Sequence, residues 1–341
     1  MPLSLAAEVI TLRTRHPFVI ARGGSSDYRV VWVRVTDTDG VEGWGEADPS
    51  AYYGETADTV LAALEQLRAL VPDDPFQIEA AESAFRDRVE PARTGAARAA
   101  LSAALHDLAA KRAGLPLWRF WGLDPGRAPR SSFTIGLDTP EVMRQKIAEA
   151  RAYPILKIKL GTDHDEEILR TVRDATDKPL RVDANGGWTR ERALAMLPVL
   201  REFGVEFVEQ PLPPADLEGI AAVRRAGVLP VVVDESCIVA TDIPRVAGSA
   251  DGINIKLAKC GSLREALRMI ATARAFGMLV MVGCMIESSL GITAAAHLTP
   301  LVDAADLDGA ALTANDPFVG ATIDGGQIRL PREPGLGVRR R

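Results

Sequence analysis

Apolar residues follow two regimes along this chain. From Leu5 to about Val35 they fall in short, partly alternating runs, VVWVRV being the clearest, and Asp39-Gly40 follows as a turn signal. Alternation with period two buries one face of a strand, and an Asp-Gly pair turns one strand back on the next. This opening predicts antiparallel strands. Between Thr56 and Leu117 the pattern becomes Ala- and Leu-rich with helical periodicity, in ADTVLAALEQLRALV and GAARAALSAALHDLAAKRAG, and Gly114 ends the second run as helices commonly end. Strands followed by helices predict a separate α+β unit. The Gly- and Pro-containing stretch WGLDPGRAPR at 121–130 is the candidate linker.

After it, short β-branched runs alternate with helical segments: SFTIGL, ILKIKL, PLRVDAN, VEFVEQ, LPVVVDE, DGINIKL, MLVMVG and a less typical last run at AADLDGA. Segments such as PEVMRQKIAEAR and LREALRMIATARAFG separate them. This alternation implies parallel strands joined by crossover helices. Eight strands point to a closed, TIM-like α/β barrel, lean against the roughly 250 residues typical of that fold. An open doubly wound sheet is the alternative, but no GxGxxG follows a strand here. The closing stretch FVGATIDGGQIRLP reads as a hairpin around Asp324-Gly325-Gly326 that packs back on the first domain. The expected division is 1–125, 126–315 and 316–341, the last segment rejoining the first.

Composition narrows the class. The 341 residues are 47% hydrophobic and 25% charged, so the chain can bury a substantial core. A formal net charge of −6 offers no general basic surface to nucleic acid or anionic lipid. Cys237, Cys260 and Cys284 stand apart with no CxxC pair, which indicates neither a disulfide framework nor a zinc knuckle. Nowhere do 18 apolar residues run together, and no basic region precedes the apolar stretch at the start. The expectation is a cytoplasmic protein with a small-molecule partner and neither nucleic acid nor membrane; the oligomeric state stays open, a homo-oligomer included.

A parallel barrel takes its chemistry from the C-terminal ends of its strands. Here a charged residue stands there strand after strand: Lys157 and Lys159 on the second, Asp183 on the third, Glu209 on the fourth, Asp234 on the fifth, Lys256 on the sixth, and Asp306 with Asp308 in the eighth. One such residue alone reads as a solvated strand end or a helix cap; the series does not. Asp183, Glu209 and Asp234 are 26 and 25 residues apart, one strand–helix unit each time. Three converging carboxylates repel one another unless a cation joins them, and an all-oxygen donor set suits Mg2+, with Mn2+ as a substitute. Lys157 and Lys159, two apart on a strand, share a face. Strands two and six lie opposite in a ring of eight, so Lys159 and Lys256 face one another across the carboxylates. A salt bridge is the plain reading of any single barrel lysine, and it stays open for Lys157 and Lys259.

Together, KIK at 157–159, DAN at 183–185, EQP at 209–211, DES at 234–236 and NIKLAKCG at 254–261 resemble the ordered motifs of the muconate-lactonizing branch of the enolase superfamily, over nearly the whole chain. The resemblance implies a (β/α)7β barrel, an α+β capping domain built from both chain ends, and Mg2+ on Asp183, Glu209 and Asp234. It also implies Lys159 and Lys256 as the acid/base pair, the first lysine of the NxKxxK stretch being the catalytic one. Removing a proton beside a carboxylate creates an enediolate, whose negative oxygens a Lewis acid stabilises. Pairing a Lys or His base with Mg2+ is the known strategy of this superfamily. Two bases on opposite faces invert a stereocentre.

The branch holds dipeptide epimerases, o-succinylbenzoate synthases, N-acylamino acid racemases and cycloisomerases, which share these motifs. DLDG at 306–309, following GCMIESS at 283–289, resembles the Asp-x-Asp with which dipeptide epimerases hold the substrate's α-ammonium group. Asp306 and Asp308, two apart, would face the pocket together. FVIARGG at 18–24 resembles the loop of epimerases acting on L-Ala-D/L-Glu, which offers Arg22 to a glutamate carboxylate. Thr134 on the first strand and Lys157 complete the expected substrate-binding set. The expected activity is an isomerase's: epimerisation of a dipeptide such as L-Ala-D/L-Glu. The alternatives are an o-succinylbenzoate synthase, an N-acylamino acid racemase, or a barrel that binds metal or ligand without turnover.

Overall fold

The computed structural model describes residues 3–341. It opens with β1 (Ser4–Ile20), β2 (Gly23–Thr36) and β3 (Glu42–Ala47), antiparallel in the order β1-β2-β3. The first hairpin is longer than the alternating runs suggest, and its tip falls at Ala21-Arg22. VVWVRV is buried on both faces. Val31, Val33 and Val35 join the core of the cap, while Trp32 packs on the other side against Trp44 and Phe318.

Three helices, α1 (Ala57–Leu67), α2 (Ile78–Arg88) and α3 (Gly95–Arg112), follow the sheet. Thr56 and Thr59 form a capping box at the start of α1, satisfying backbone N–H groups that the first turn leaves free. Every residue of α3 from Gly95 to Ala110 is buried, because the helix packs between the sheet and the barrel. Its small residues let both neighbours approach. Gly43 and Gly45 of β3 have the same origin: a Cβ on either would stand 2.0 Å from the carbonyl oxygen of Ala104 or Ala100.

The barrel strands are β4 (Phe133–Ile135), β5 (Leu156–Lys159), β6 (Leu180–Asp183), β7 (Val205–Glu209), β8 (Val231–Val233), β9 (Gly252–Ile255), β10 (Leu279–Gly283) and β11 (Ala304–Asp306). They run parallel in sequence order. A parallel bridge between Ser131 and Ala305, with the Ser132 N–H donating to the Ala305 carbonyl at 3.1 Å, brings the last strand back to the first. All eight candidate runs are strands, AADLDGA included. A helix separates each strand from the next, and Thr139, Thr189, Asp216, Ser262 and Ser288 cap five of them at the N-terminus. Among the described residues no helix is long and apolar enough to cross a membrane.

The tail departs from expectation in one respect. β13 (Thr322–Asp324) and β14 (Gln327–Arg329) do form the hairpin, but it lies under the barrel rather than on the cap. The Gly326 carbonyl accepts from the Ser131 N–H at 2.8 Å, and a Cβ on Gly325 would meet the Ala152 carbonyl at 2.9 Å. Both contacts are at the N-terminal end of the barrel strands. The flanking pair β12 (Phe318–Val319) and β15 (Arg339–Arg340) is what reaches the cap, through Phe318 against Trp32 at 5.3 Å and the Arg340 guanidinium over the Trp32 ring at 4.9 Å. The Asp-Gly-Gly turn decides that a hairpin forms. Where it docks depends on the partners that its glycines allow to approach.

Candidate active site

Parallel register sets the strand-end charges level with one another. Lys159 of β5 is in register with Asp183 of β6, and Asp183 with Glu209 of β7. Asp234 and Lys256 each lie one residue past the end of β8 and β9. All five side chains are buried. Lys159 donates to Asp183 Oδ2 at 2.6 Å, and Lys256 sits 2.8 Å from Asp234 Oδ2. The two lysines therefore end on carboxylates at opposite flanks of the group.

Lys157 and Lys259 are arranged differently. Lys157, 1% exposed, stands at the centre of the ring within 2.8 Å of Glu209, 2.9 Å of Asp306 and 3.3 Å of Asp183. Its ammonium is engaged by three carboxylates at once. Lys259 donates to the carbonyls of Asp234 at 2.7 Å and Asn254 at 3.1 Å, and also pairs with the Asp234 carboxylate. An ammonium has three protons, so Lys259 has none to spare. Among the described residues Lys256 has only Asp234 and, at 4.0 Å, the Met285 sulfur.

Burial and neighbours divide the carboxylates. Burial works to raise Asp183, but Lys159 and then Lys157 outweigh it and hold the group at about 2. Asp234 is likewise held far below its ordinary range, against burial, by Lys256 and Lys259. Glu209 goes the other way, pushed up to about 7 by burial and by Asp183 beside it. Burial alone would lower Lys157 and Lys256, yet both stand above the ordinary lysine range, through Asp306 and Glu209 for the first and Asp234 for the second.

Among the described residues no three His, Cys, Asp or Glu side chains form a ready coordination shell, because the lysine ammoniums lie between the carboxylates. The surroundings nonetheless suit a hard cation. Every candidate donor is oxygen, and Asn185 Oδ1, Asn254 Oδ1 and Glu235 Oε2 are buried acceptors with no hydrogen-bond partner.

β11 returns beside β4 and brings Asp306 and Asp308 to Thr134. Asp306 Oδ1 accepts from Ser132 Oγ at 2.7 Å and its Oδ2 from Lys157, so part of its charge is already met. Asp308 Oδ2 accepts from the Thr134 backbone N–H at 2.5 Å, and among the described residues no lysine pairs with it. Burial, then the neighbouring Asp306, pushes Asp308 up to about 7. The loop residue Arg22 reaches over the mouth from the hairpin tip. It donates to the Asn185 carbonyl at 2.6 Å and Glu235 Oε1 at 2.7 Å, and its guanidinium lies 4.3 Å from the centre of the Tyr52 ring.

Several residues of this site were not singled out in the sequence. Asn185 and Gln210 have positive φ, 47° and 36°, which is strained backbone for residues other than glycine. Both follow a strand-end carboxylate. The Asn185 N–H donates to Asp183 Oδ1 at 2.8 Å, and Gln210 Oε1 accepts from the Asp234 N–H at 3.0 Å, so each braces a neighbour of the ring. Asn254 donates to Glu209 Oε1 at 2.8 Å. Glu46, at the end of β3, accepts from the Ser288 N–H at 2.8 Å and pins the cap to the loop after β10. DAN, EQP and NIK carried the first three in plain view; their bracing role needed the backbone angles.

An eight-stranded parallel barrel with opposed lysines around buried carboxylates, under a cap that reaches its mouth, defines an acid–base barrel enzyme. Residues 141–341 match the family model described as enolase C-terminal domain-like, and residues 6–122 match the mandelate racemase/muconate lactonizing enzyme N-terminal domain. The L-Ala-D/L-Glu epimerase of Bacteroides thetaiotaomicron is 44% identical, over 96% of this chain and 85% of its own. The L-Ala-D/L-amino acid epimerase of a Maribacter species is 40% identical, over 98% and 99%. Among solved structures, a dipeptide epimerase from Enterococcus faecalis V583, complexed with Mg and L-Leu-L-Tyr, superposes with a TM-score of 0.93 at 32% identity, covering 99% of both chains. The chain belongs to the enolase superfamily, in its mandelate racemase/muconate-lactonizing group.

Proposed function

We propose that this protein is a dipeptide epimerase, an isomerase that inverts the α-carbon of the second residue of a dipeptide with a free amino terminus, L-Ala-D/L-Glu being the pair that its relatives and Arg22 favour. The observation that carries the reading is the combination of opposed lysines, Lys159 and Lys256, with an aspartate, Asp308, that is buried with no cationic partner among the described residues. The lysines supply proton transfer on two faces. Asp308, with Asp306, supplies a place for an α-ammonium group on the β11 side of the mouth.

Asp183, Glu209 and Asp234 are the residues that would hold Mg2+. When bound, the ion supplies positive charge to the substrate carboxylate as negative charge builds on its oxygens. The rest is done by the chain. One lysine takes the α-proton from one face as a neutral amine, and the other returns a proton to the opposite face as an ammonium. The product has the inverted configuration and the two lysines have exchanged protonation states. Lys259 and Gln210 fix Asp234, Asn254 fixes Glu209, and Lys157 ties the carboxylate ring to Asp306. Thr134 orients Asp308 through its backbone. A cytoplasmic location accords with the three unpaired cysteines.

The test is a panel of free and N-acetylated dipeptides incubated with Mg2+ in D2O and read by mass spectrometry for α-deuteration and by chiral analysis for inversion. Free L-Ala-L-Glu should gain deuterium and epimerise, and its N-acetyl form should do so poorly. Faster turnover of N-acylated amino acids than of every free dipeptide would defeat the proposal.

A further inference from the structure

Arg22 occupies the tip of a solvent-facing hairpin, a position where a long side chain ordinarily keeps its rotamer freedom. Here three different segments hold it. The carbonyl of Asn185, a residue with positive φ, accepts from Nη1 at 2.6 Å. Glu235 Oε1 accepts from Nη2 at 2.7 Å, and the face of Tyr52 lies under the guanidinium at 4.3 Å. The Glu235 side chain is 2% exposed, and its Oε2 is buried with no hydrogen-bond partner, so Arg22 is the one cation this carboxylate pairs with among the described residues. Tyr52 is 47% exposed and stacks edge-on against Tyr53 at 5.0 Å. Two of the five guanidinium N–H groups are taken by these partners, and the rest remain on a side chain still 33% exposed.

We propose that Glu235 and Tyr52 are positioning residues that hold Arg22 over the mouth, so that its remaining N–H groups meet an acidic second side chain of the dipeptide; this rests on the dipeptide reading above. Neither residue needs to touch the substrate. A planar, always charged fork held in place loses less freedom on meeting a carboxylate than a mobile one, and that saving is specific to acidic side chains. Selectivity for glutamate over leucine at the second position thus depends on Tyr52 and Glu235 as well as on Arg22.

The experiment compares kcat and KM for L-Ala-L-Glu and L-Ala-L-Leu, with Mg2+ present, in the parent, Tyr52→Leu, Tyr52→Phe and Glu235→Gln. The quantity read is the ratio of kcat/KM for the glutamate dipeptide over the leucine one, in which any general damage to the site cancels. Tyr52→Leu should lower that ratio about two- to fivefold, the strength of an exposed cation–ring contact, mainly through KM. Tyr52→Phe keeps the ring face and should restore it. Glu235→Gln should lower the ratio roughly tenfold. Tyr52 is half-exposed, so its variants test the idea without endangering the fold. A ratio unchanged in Tyr52→Leu overturns the proposal, and so does a ratio that rises in Glu235→Gln, which would make Glu235 a competitor for Arg22. If the parent turned over neither dipeptide, the dipeptide reading itself would fall, and this proposal with it.

Discussion

Removing the charge of Asp308 should make the protein more stable and less active. The side chain is 2% exposed, and its carboxyl is pushed from 3.8 up to about 7 by burial and by Asp306. A carboxyl with a folded value above its unfolded one binds protons more tightly when folded, so stability is lost as pH rises through that window. At 1.36 kcal/mol per pH unit the loss between about pH 4 and pH 7 has a ceiling of about 4 kcal/mol. Asp308→Asn keeps an oxygen for the Thr134 N–H but has no charge to bury. Structural relaxation and entering water reduce such ceilings, so a gain of about 2 kcal/mol is expected above pH 7, declining to none below about pH 4. Calorimetric unfolding without dipeptide, from pH 4 to pH 8, should show the Tm of the variant pulling ahead by several degrees as pH rises. In the same variant kcat/KM for L-Ala-L-Glu should fall about a hundredfold, the cost of a lost charged partner for the ammonium. A Tm difference that does not grow with pH would refute the burial argument. Undiminished turnover would refute the ammonium role.

Three further outcomes are expected. Chelation should abolish epimerisation and added Mg2+ should restore it; full activity of Asp234→Asn in excess chelator would remove Asp234 from the metal site. Lys159→Ala and Lys256→Ala should each stop epimerisation, while each variant still exchanges the α-proton of the one isomer that its surviving lysine faces. Normal epimerisation by either variant, followed by chiral chromatography, would exclude a two-lysine mechanism. Phe318→Ala should cost about 3–5 kcal/mol by emptying the space its ring fills against Trp32 and Trp44. A denaturant midpoint unmoved by that change would show that the tail does not hold the cap.

The barrel was legible because strand and helix periods differ and alternate eight times, and because parallel strands buried on both faces need β-branched runs. The carboxylate series was legible for a related reason. Each repeat spans nearly the same number of residues, so spacing in sequence becomes adjacency in space: Asp183 and Glu209 fall in register across β6 and β7. Residue chemistry did the rest, since three carboxylates and opposed lysines restrict what a barrel mouth can do.

What the sequence determined by itself was thus local and periodic: the elements, their order, and which charges end which strands. Only the tertiary structure decided how those charges are shared. The sequence leaves a salt bridge open for Lys157 and Lys259, and it is carbonyls and carboxylates from other strands that engage the first with three carboxylates and the second with Asp234 and Asn254. The tail hairpin went to the base of the barrel, and Arg22 came to rest on Glu235 and Asn185, 213 and 163 residues away in the chain. A short window carries no record of such partners. Periodicity encodes which face of an element is buried, whereas the neighbour found there depends on how every other element packs.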